Sequence, residues 1–351
     1  MTAAAHGAGA PVTANRAVTV FGAYGHTGRF VVAELLRRGW TPILSGRDPD
    51  KLAALGAEHP TLELRIASID DAASLDRALD GAVAVINCAG PFLDTATPVI
   101  EAALRARVHY LDPAAEQRAV LDVFEQQTPA ARNAGVAVLP GMAFYGGLAD
   151  LLATAAMDGW PQADAIDIGV ALDSWHPTAG TRLTGQRNHY RRLVVSDGKL
   201  EPLADPAPTR DWNFPAPFDT QPMVALPLSE TITISRHLRV RELHSYMNLA
   251  PLQELRNPDT PAPVASDAQG RSAQRFMMEA VVRNGTELRS AVASGRDIYA
   301  VTAPLIVEAM ERIVAGRAHL SGVITAGAAF DARDFLATLA PEHLQLDCVD
   351  V

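Results

Sequence analysis

The hydrophobic positions of the first 140 residues fall into short, nearly continuous apolar runs. Between these runs lie longer stretches in which apolar residues recur every three or four positions. AVTVF is followed by VVAELLRRG and TPILS by KLAALGAEH. LELRIAS, SLDRAL, VAVIN, TPVIEAALRA, HYLD, VLDVFEQQTPAARNA and VAVLP continue the series. A short apolar run fits a strand covered on both faces, and the longer recurrence fits a helix lying on it. Strand and helix in alternation predict parallel β-α-β units, and six strands in this rhythm predict an α/β fold with a Rossmann-type doubly wound parallel sheet.

After Gly141 the rhythm changes to a second, mixed α/β pattern. LADLLATAAM predicts a helix, AIDIGVAL a strand, and TRLTGQRNHYRRL a helix with Gly180 and Thr181 as cap residues. Residues 202–222 hold too many prolines for a regular element and predict an ordered loop or lid, and 257–264 predict another loop. TITISRHL has the alternation of a strand. RFMMEAVVRNG and TELRSAVAS predict a hairpin turning at Asn284-Gly285, and TAPLIVEAMERIVAG and the segment after Asp331 predict helices.

Composition narrows the class of protein. Hydrophobic residues make up 48% and charged residues 20%, which suits a globular chain with sizeable cores. The formal net charge is −10 and the basic residues are scattered, so no basic field is present to neutralise nucleic-acid phosphates. Two cysteines far apart, Cys88 and Cys348, give neither a disulfide framework nor metal-ligand spacing, and they point to a reducing, cytoplasmic setting. Residues 1–15 have no basic and apolar signal-peptide regions and read as a flexible leader, and no run reaches the length of a membrane span.

The chemistry begins at VFGAYGHTGR, where Gly22, Gly25 and Gly28 follow the first strand and open a helix. Small residues there let the backbone turn and approach a dinucleotide pyrophosphate, while the helix N-terminus aims its amides at the phosphates. The second strand ends in Ser45-Gly46-Arg47 with no acid before them. An acid at this place would hold the ribose hydroxyls of NAD, whereas arginine accommodates the 2′-phosphate of NADP. The other reading of Arg47 is a surface residue paired with Asp48. The fourth strand ends in Asn87-Cys88-Ala89-Gly90-Pro91-Phe92, whose small residues leave room for a flat nicotinamide at the sheet's carboxyl edge. Cys88 reads as a small buried thiol, and Asp112, ahead of a helix, as an N-cap.

GAYGHTGR, SGRDPDKL, NCAGPF and HYLDPAAE, in order at successive strand ends, resemble the saccharopine dehydrogenase-like reductases, a family that includes fungal saccharopine reductases and trans-acting enoyl reductases. The resemblance spans the first 150 residues and resumes at SGRDIYAVTAPLIVEA and FDARDFL. It implies an NADP(H)-dependent oxidoreductase with an NADP-binding domain over 16–144. A substrate and dimerisation domain over 145–300 and C-terminal helices over 301–351, returning to the first domain, would complete the chain. It implies that Gly22, Tyr24, Gly25, His26, Thr27 and Gly28 hold the pyrophosphate and that Ser45, Gly46 and Arg47 hold the 2′-phosphate. Asp70 would lie near the adenine, and Cys88, Ala89, Gly90 and Pro91 beside the nicotinamide ribose. The family's G-F-D-S-x-P-x-D segment is replaced here by AFYGGLAD, which keeps Asp150 but puts Tyr145 and Gly146 where the polar pair stood.

Tyr145, at the junction past the sixth strand, is a candidate to donate a proton or hydrogen bond, or else an aromatic plug. His176 is the second catalytic candidate. Phe92, Tyr145, Thr181 and His189 are the expected substrate-side residues. Arg182, Arg187 and Arg191 read either as a grip on an acidic substrate or as a solvated face, and Trp212, Phe214 and Phe218 as an aromatic lid or as pins for a long loop. These features suit an NADPH-dependent reductase of a polarised double bond in a small or pathway-bound metabolite, with a non-catalytic NADP-binding regulator as the alternative. Expected partners are a small-molecule substrate and a second copy of the chain, with neither nucleic acid nor membrane.

Overall fold

A computed structural model describes residues 16–318 and 321–350, so the leader expected over 1–15 lies outside the described residues. The predicted alternation is present at the start: β1 (Ala17–Phe21), α1 (His26–Arg37), β2 (Thr41–Gly46), α2 (Pro49–Glu58), β3 (Leu64–Ile66), α3 (Ala72–Leu79), β4 (Ala84–Asn87), α4 (Phe92–Ala106), β5 (His109–Leu111), α5 (Gln117–Ala134) and β6 (Ala137–Leu139). A π-helical turn, Phe144–Leu148, leads into α6 (Ala149–Met157) and β7 (Ala163–Leu172). There follow α7 (Ala179–Arg187), β8 (Leu193–Ser196), β9 (Lys199–Pro202), β10 (Thr209–Asn213), β11 (Thr220–Ala225), α8 (Ser229–Ser235), β12 (Val240–Asn248), α9 (Leu249–Arg256), β13 (Arg275–Asn284) and β14 (Glu287–Arg296). The chain then runs through α10 (Thr302–Val314), β15 (Gly322–Val323), α11 (Ala326–Ala329), α12 (Ala332–Leu339) and β16 (Leu344–Asp350).

Among the described residues, seven parallel strands form one sheet in the order β15-β6-β5-β4-β1-β2-β3. β1 is paired with β2 on one side and β4 on the other, so the strand order reverses there and a crevice opens between the loops that follow β1 and β4. The second sheet runs β10-β11-β12-β7-β13-β14-β16, with β8 attached to β12 and β9 to β8. It is mixed, because β12 and β7 are parallel while their neighbours are antiparallel.

The two sheets share one core. Leu35, Leu139, Phe144, Leu152, Ile166, Phe276 and Leu305 belong to a single buried cluster, and α6 lies against β13 and β14. Each such fully buried side chain contributes roughly 1.5–3 kcal/mol relative to exposure. α10 packs along α1, and Arg38, the C-cap of α1, bonds Glu308 and Glu311 of α10 at 2.6 and 2.7 Å, tying the C-terminal region to the first sheet.

Several sequence expectations are corrected. The stretch over 202–222 is a hairpin, because β10 and β11 pair with each other and β11 with β12, which supplies the partner that local proline content conceals. TITIS forms helix α8, with Ser229 through Ile234 all buried, so packing on every side overrides the β-propensity of its branched residues. α7 is capped by Thr178, whose side chain accepts from the Thr181 amide, rather than by Gly180 or Thr181, and it stops at Arg187, leaving His189 and Tyr190 beyond it. The C-terminal region is not purely helical, since β15 extends the first sheet and β16 the second. The expected hairpin at Gly285 is present, with Asn284 opposite Glu287.

Candidate active site

The glycine-rich loop is shaped by backbone contacts. Gly22 has φ +82°, and a Cβ on it would stand 2.8 Å from the amide nitrogen of Ala89 in the loop after β4. Gly28 lies so close beneath the loop that a Cβ there would overlap the Gly22 carbonyl oxygen, with the Ala23 oxygen only 2.9 Å away. The amides of Gly22 and Ala23 donate to the Ser45 carbonyl, and the Cys88 amide donates to that of Phe21, so the loops after β1, β2 and β4 are held as one unit. Gly25 stands at the N-cap of α1 with no side-chain cap, which leaves the helix's first amides facing the crevice.

At the end of β2, Ser45 is buried and its hydroxyl has no partner among the described residues, while Arg47 is exposed. Asp48 is not paired with Arg47. It caps α2, accepting from the amides of Asp50 and Lys51, and its carboxylate lies 3.5 Å from the Lys51 ammonium. The Tyr24 ring covers Gly46, where a Cβ would meet its Cε1 at 2.5 Å, and its hydroxyl accepts from the Asp48 amide. Asp70 is exposed past β3. The pieces suit a dinucleotide phosphate end: a buried orphan hydroxyl, an exposed guanidinium and a tyrosine floor at one strand end.

Behind the crevice, Asp112 accepts from Tyr110 Oη at 2.7 Å and from the amides of Ala114 and Gly141 at 2.9 Å each. It therefore pins the ends of β5 and β6 and is not the helix cap expected from sequence. Glu116 occupies the N-cap of α5, and its carboxylate also accepts from the Phe92 amide at the start of α4. Burial, with the Asp112 charge beside it, pushes the Cys88 thiol far above its ordinary value.

A cleft of about 690 Å³ opens from this edge into the second part of the chain. Thr27, Cys88, Gly90 and Phe92 line it on the sheet side, and Tyr145, Trp175, Thr181, Arg192 and Tyr299 line it on the other. Tyr299 links the two: its ring meets that of His26 edge-on at 5.3 Å, while its hydroxyl bonds the Trp175 indole at 3.0 Å and the Thr181 hydroxyl at 2.9 Å. The Tyr145 hydroxyl is buried and has no hydrogen-bond partner among the described residues. Burial raises its pKa well above the ordinary phenol, Tyr299 and Glu230 add to that rise, and the charge of Arg192 opposes it. The phenol is therefore held in its proton-bearing form.

The structure brings Phe92, Tyr145 and Thr181 into the cleft and leaves other expected residues outside. His176 lines a neighbouring cavity of about 310 Å³, also bounded by Ser174, Gln274 and Tyr299. His189 is exposed and does not line the cleft. Trp212, Phe214 and Phe218 are buried against Ala171, Met223 and Met277 on the second sheet, so they pin their hairpin and form no lid. Of the basic residues, Arg187 faces Asp94 at 3.6 Å and Arg191 donates to the Leu203 carbonyl, both at the surface. Arg182 lines the cleft but donates to the carbonyls of Asn257 and Thr260. The sequence reading missed Arg192, Glu230 and Tyr299. Nothing in RRL says which arginine turns inward, and the signal for Tyr299 was present only as part of SGRDIYAVTAPLIVEA.

Comparison with known proteins fits this geometry. Residues 18–139 match the family model of the Saccharopine dehydrogenase NADP binding domain, which makes NADP(H) the dinucleotide of this domain. A saccharopine dehydrogenase-like oxidoreductase from Bos taurus is 30% identical over 152 residues, covering 38% of this chain and 35% of that protein. Its Homo sapiens counterpart is 34% identical over 117 residues, covering 28% and 27%. The matched stretch thus spans about a third of these relatives. The fold as a whole is similar to apo saccharopine dehydrogenase (L-Glu forming) from Saccharomyces cerevisiae, with TM-score 0.65 and 11% identity, covering 95% of this chain and 100% of that one. Among the described residues no helix is long and apolar enough to cross a membrane, and no cluster of side chains is arranged to hold a metal ion.

Proposed function

We propose, from the match of residues 18–139 to the family model of the Saccharopine dehydrogenase NADP binding domain, that the protein is an NADPH-dependent reductase of a polarised double bond. The bond is a C=N, a C=C conjugated to a carbonyl, or a C=O in a small or pathway-bound metabolite. The observation that carries this reading is the single cleft in which Thr27, Cys88 and Gly90 of the dinucleotide edge are joined by Tyr145, whose buried hydroxyl has no hydrogen-bond partner among the described residues.

In this reading Gly22, Tyr24, Gly25, His26, Thr27 and Gly28 hold the pyrophosphate, and Ser45, Gly46 and Arg47 hold the 2′-phosphate. Asp70 borders the adenine, and Cys88, Ala89, Gly90 and Pro91 flank the nicotinamide ribose. When bound, NADPH supplies a hydride ion. Phe92, Trp175 and Thr181 confine the acceptor and displace water from it. The Tyr145 hydroxyl supplies the proton that completes addition across the double bond, and water admitted between turnovers reprotonates the phenolate. The rise imposed on this phenol by burial keeps the proton in place until negative charge develops on the acceptor.

The test is consumption of NADPH, followed by loss of its absorbance, with a panel of imines, enoyl thioesters and ketones. One class is expected to support turnover, and Tyr145→Phe is expected to slow it at least about a hundredfold. Tight NADPH binding with no turnover on any class would overturn the reductase reading in favour of a non-catalytic NADP-binding regulator.

A further inference from the structure

Arg192 follows α7 and immediately precedes β8, half-buried against the cleft. Its Nη1 donates to the Pro227 carbonyl at 2.9 Å. A guanidinium has five N–H donors, and among the described residues no carboxylate lies within ion-pair distance of this one. Burial disfavours its charge, and the nearby Glu230 and Tyr145 offset that penalty only in part. Glu230 does not complete the pair: one of its oxygens accepts from the Leu228 amide at 2.8 Å, and burial pushes this carboxyl toward its neutral form. Arginine keeps its charge under these conditions, so the cleft contains a cation with no carboxylate in ion-pair contact among the described residues.

The surroundings define what would supply the anion. Phe92, Phe144, Trp175, Leu228, Leu255 and Ile298 give the cleft largely apolar walls. Other cations do not converge on the same point, because Arg182 is held by two loop carbonyls and Arg256 is exposed at the rim. One guanidinium matches one planar carboxylate through its forked donors, whereas a phosphate dianion usually draws several donors and charges. Arg192 and Tyr145 line the same cleft, and the Arg192 charge acts on the phenol.

We propose that Arg192 forms a subsite for a single carboxylate adjacent to the reducible double bond, on an acceptor whose remaining body is apolar. The substrate class is then a 2-oxo, 2-imino or 2-enoic acid with a hydrophobic tail, not a multiply charged amino-acid conjugate. This rests on the reading that the cleft holds the substrate.

Isothermal titration of the NADP⁺-saturated protein with 3-phenylpropanoate and with 3-phenylpropanamide tests the subsite without turnover. The carboxylate is expected to bind about tenfold or more tightly than the amide. Arg192→Met is expected to abolish that difference, Arg192→Lys to retain part of it, and Arg191→Ala, at a surface cation, to leave it unchanged. Thermal unfolding of each variant separates loss of the subsite from loss of the fold, and the lysine variant keeps the test decisive if the methionine variant is unstable. Equal affinity for the two probes, or a preference that survives Arg192→Met in a folded protein, would overturn the proposal. So would carboxylate binding that NADP⁺ displaces, which would assign Arg192 to the dinucleotide. Carboxylate preference without NADPH consumption by any acceptor class would sink the reductase reading and leave the subsite standing.

Discussion

The imidazole Nε2 of His237 lies 2.6 Å from Oδ1 of the fully buried Asp150, whose second oxygen accepts from the Gly327 amide at 3.0 Å. One carboxylate thus joins α6 to the end of α8 and to the start of α11. Burial works against protonation of His237, but the charge of Asp150 and its hydrogen bond outweigh it and raise the pKa.

A pH dependence of stability follows, with a definite sign. Because the folded-state value is raised, the contribution of His237 is fully present below the ordinary imidazole value of about 6.5. It is lost as pH rises through the raised value. His237→Gln is therefore expected to lower the thermal midpoint in mildly acidic buffer and to differ less from the unaltered protein in alkaline buffer. A midpoint difference that grows with pH would contradict the pair.

Arg47 is expected to set the choice of dinucleotide. NADPH should quench the intrinsic fluorescence at much lower concentration than NADH. Arg47→Ala should narrow that gap by about tenfold or more, the worth of a charge-assisted hydrogen bond. Equal affinities in the unaltered protein would remove the 2′-phosphate assignment.

The glycines of the loop should differ sharply from a glycine elsewhere. Gly28→Ala places a methyl against the Gly22 and Ala23 carbonyls, which belong to a backbone held on several sides. A loss of about 3 kcal/mol or more in urea unfolding is expected, together with loss of NADPH binding. Gly81, with φ +70° and nothing within 4 Å of its would-be Cβ, should tolerate alanine at about 1–2 kcal/mol, the cost of the left-handed conformation. Similar losses at the two positions would mean that the crevice is less tightly packed than described.

Tyr145→Phe is expected to separate stability from activity. The hydroxyl it removes is buried without a partner among the described residues, so the thermal midpoint should stay level or rise while turnover falls. A marked fall in the midpoint would show that the hydroxyl has a structural partner.

The first six strands of the first sheet were legible because each is a local apolar run and each loop carries its own punctuation, from Gly22 to Gly135, whereas β15 joins the sheet only through pairing with β6. The loops after β1, β2 and β4 could be read as parts of one crevice because in a doubly wound sheet all parallel strands end on the same edge. The second region was less legible. β11 finds its partner in β12, more than a dozen residues on, and Ser229–Ser235 becomes helical only because it is enclosed by α5, α6 and the π-helical turn. Asp150 was noticed in the sequence as a retained acid, but its role in holding His237 and Gly327 depends on segments far along the chain.

By itself, the sequence determined the parallel sheet, the glycine-rich loop, the Ser45-Gly46-Arg47 end and the place of Tyr145 after the sixth strand. These features rest on spacings of a few residues, where local sterics and periodicity dominate. The tertiary structure alone decided which polar side chains face the cleft. Arg191 and Arg192 are neighbours of identical chemistry, yet one bonds a surface carbonyl and the other is half-buried beside Tyr145. Their difference comes from the direction in which the chain enters β8, and that direction is set by pairing with β9 and β12 rather than by the residues themselves.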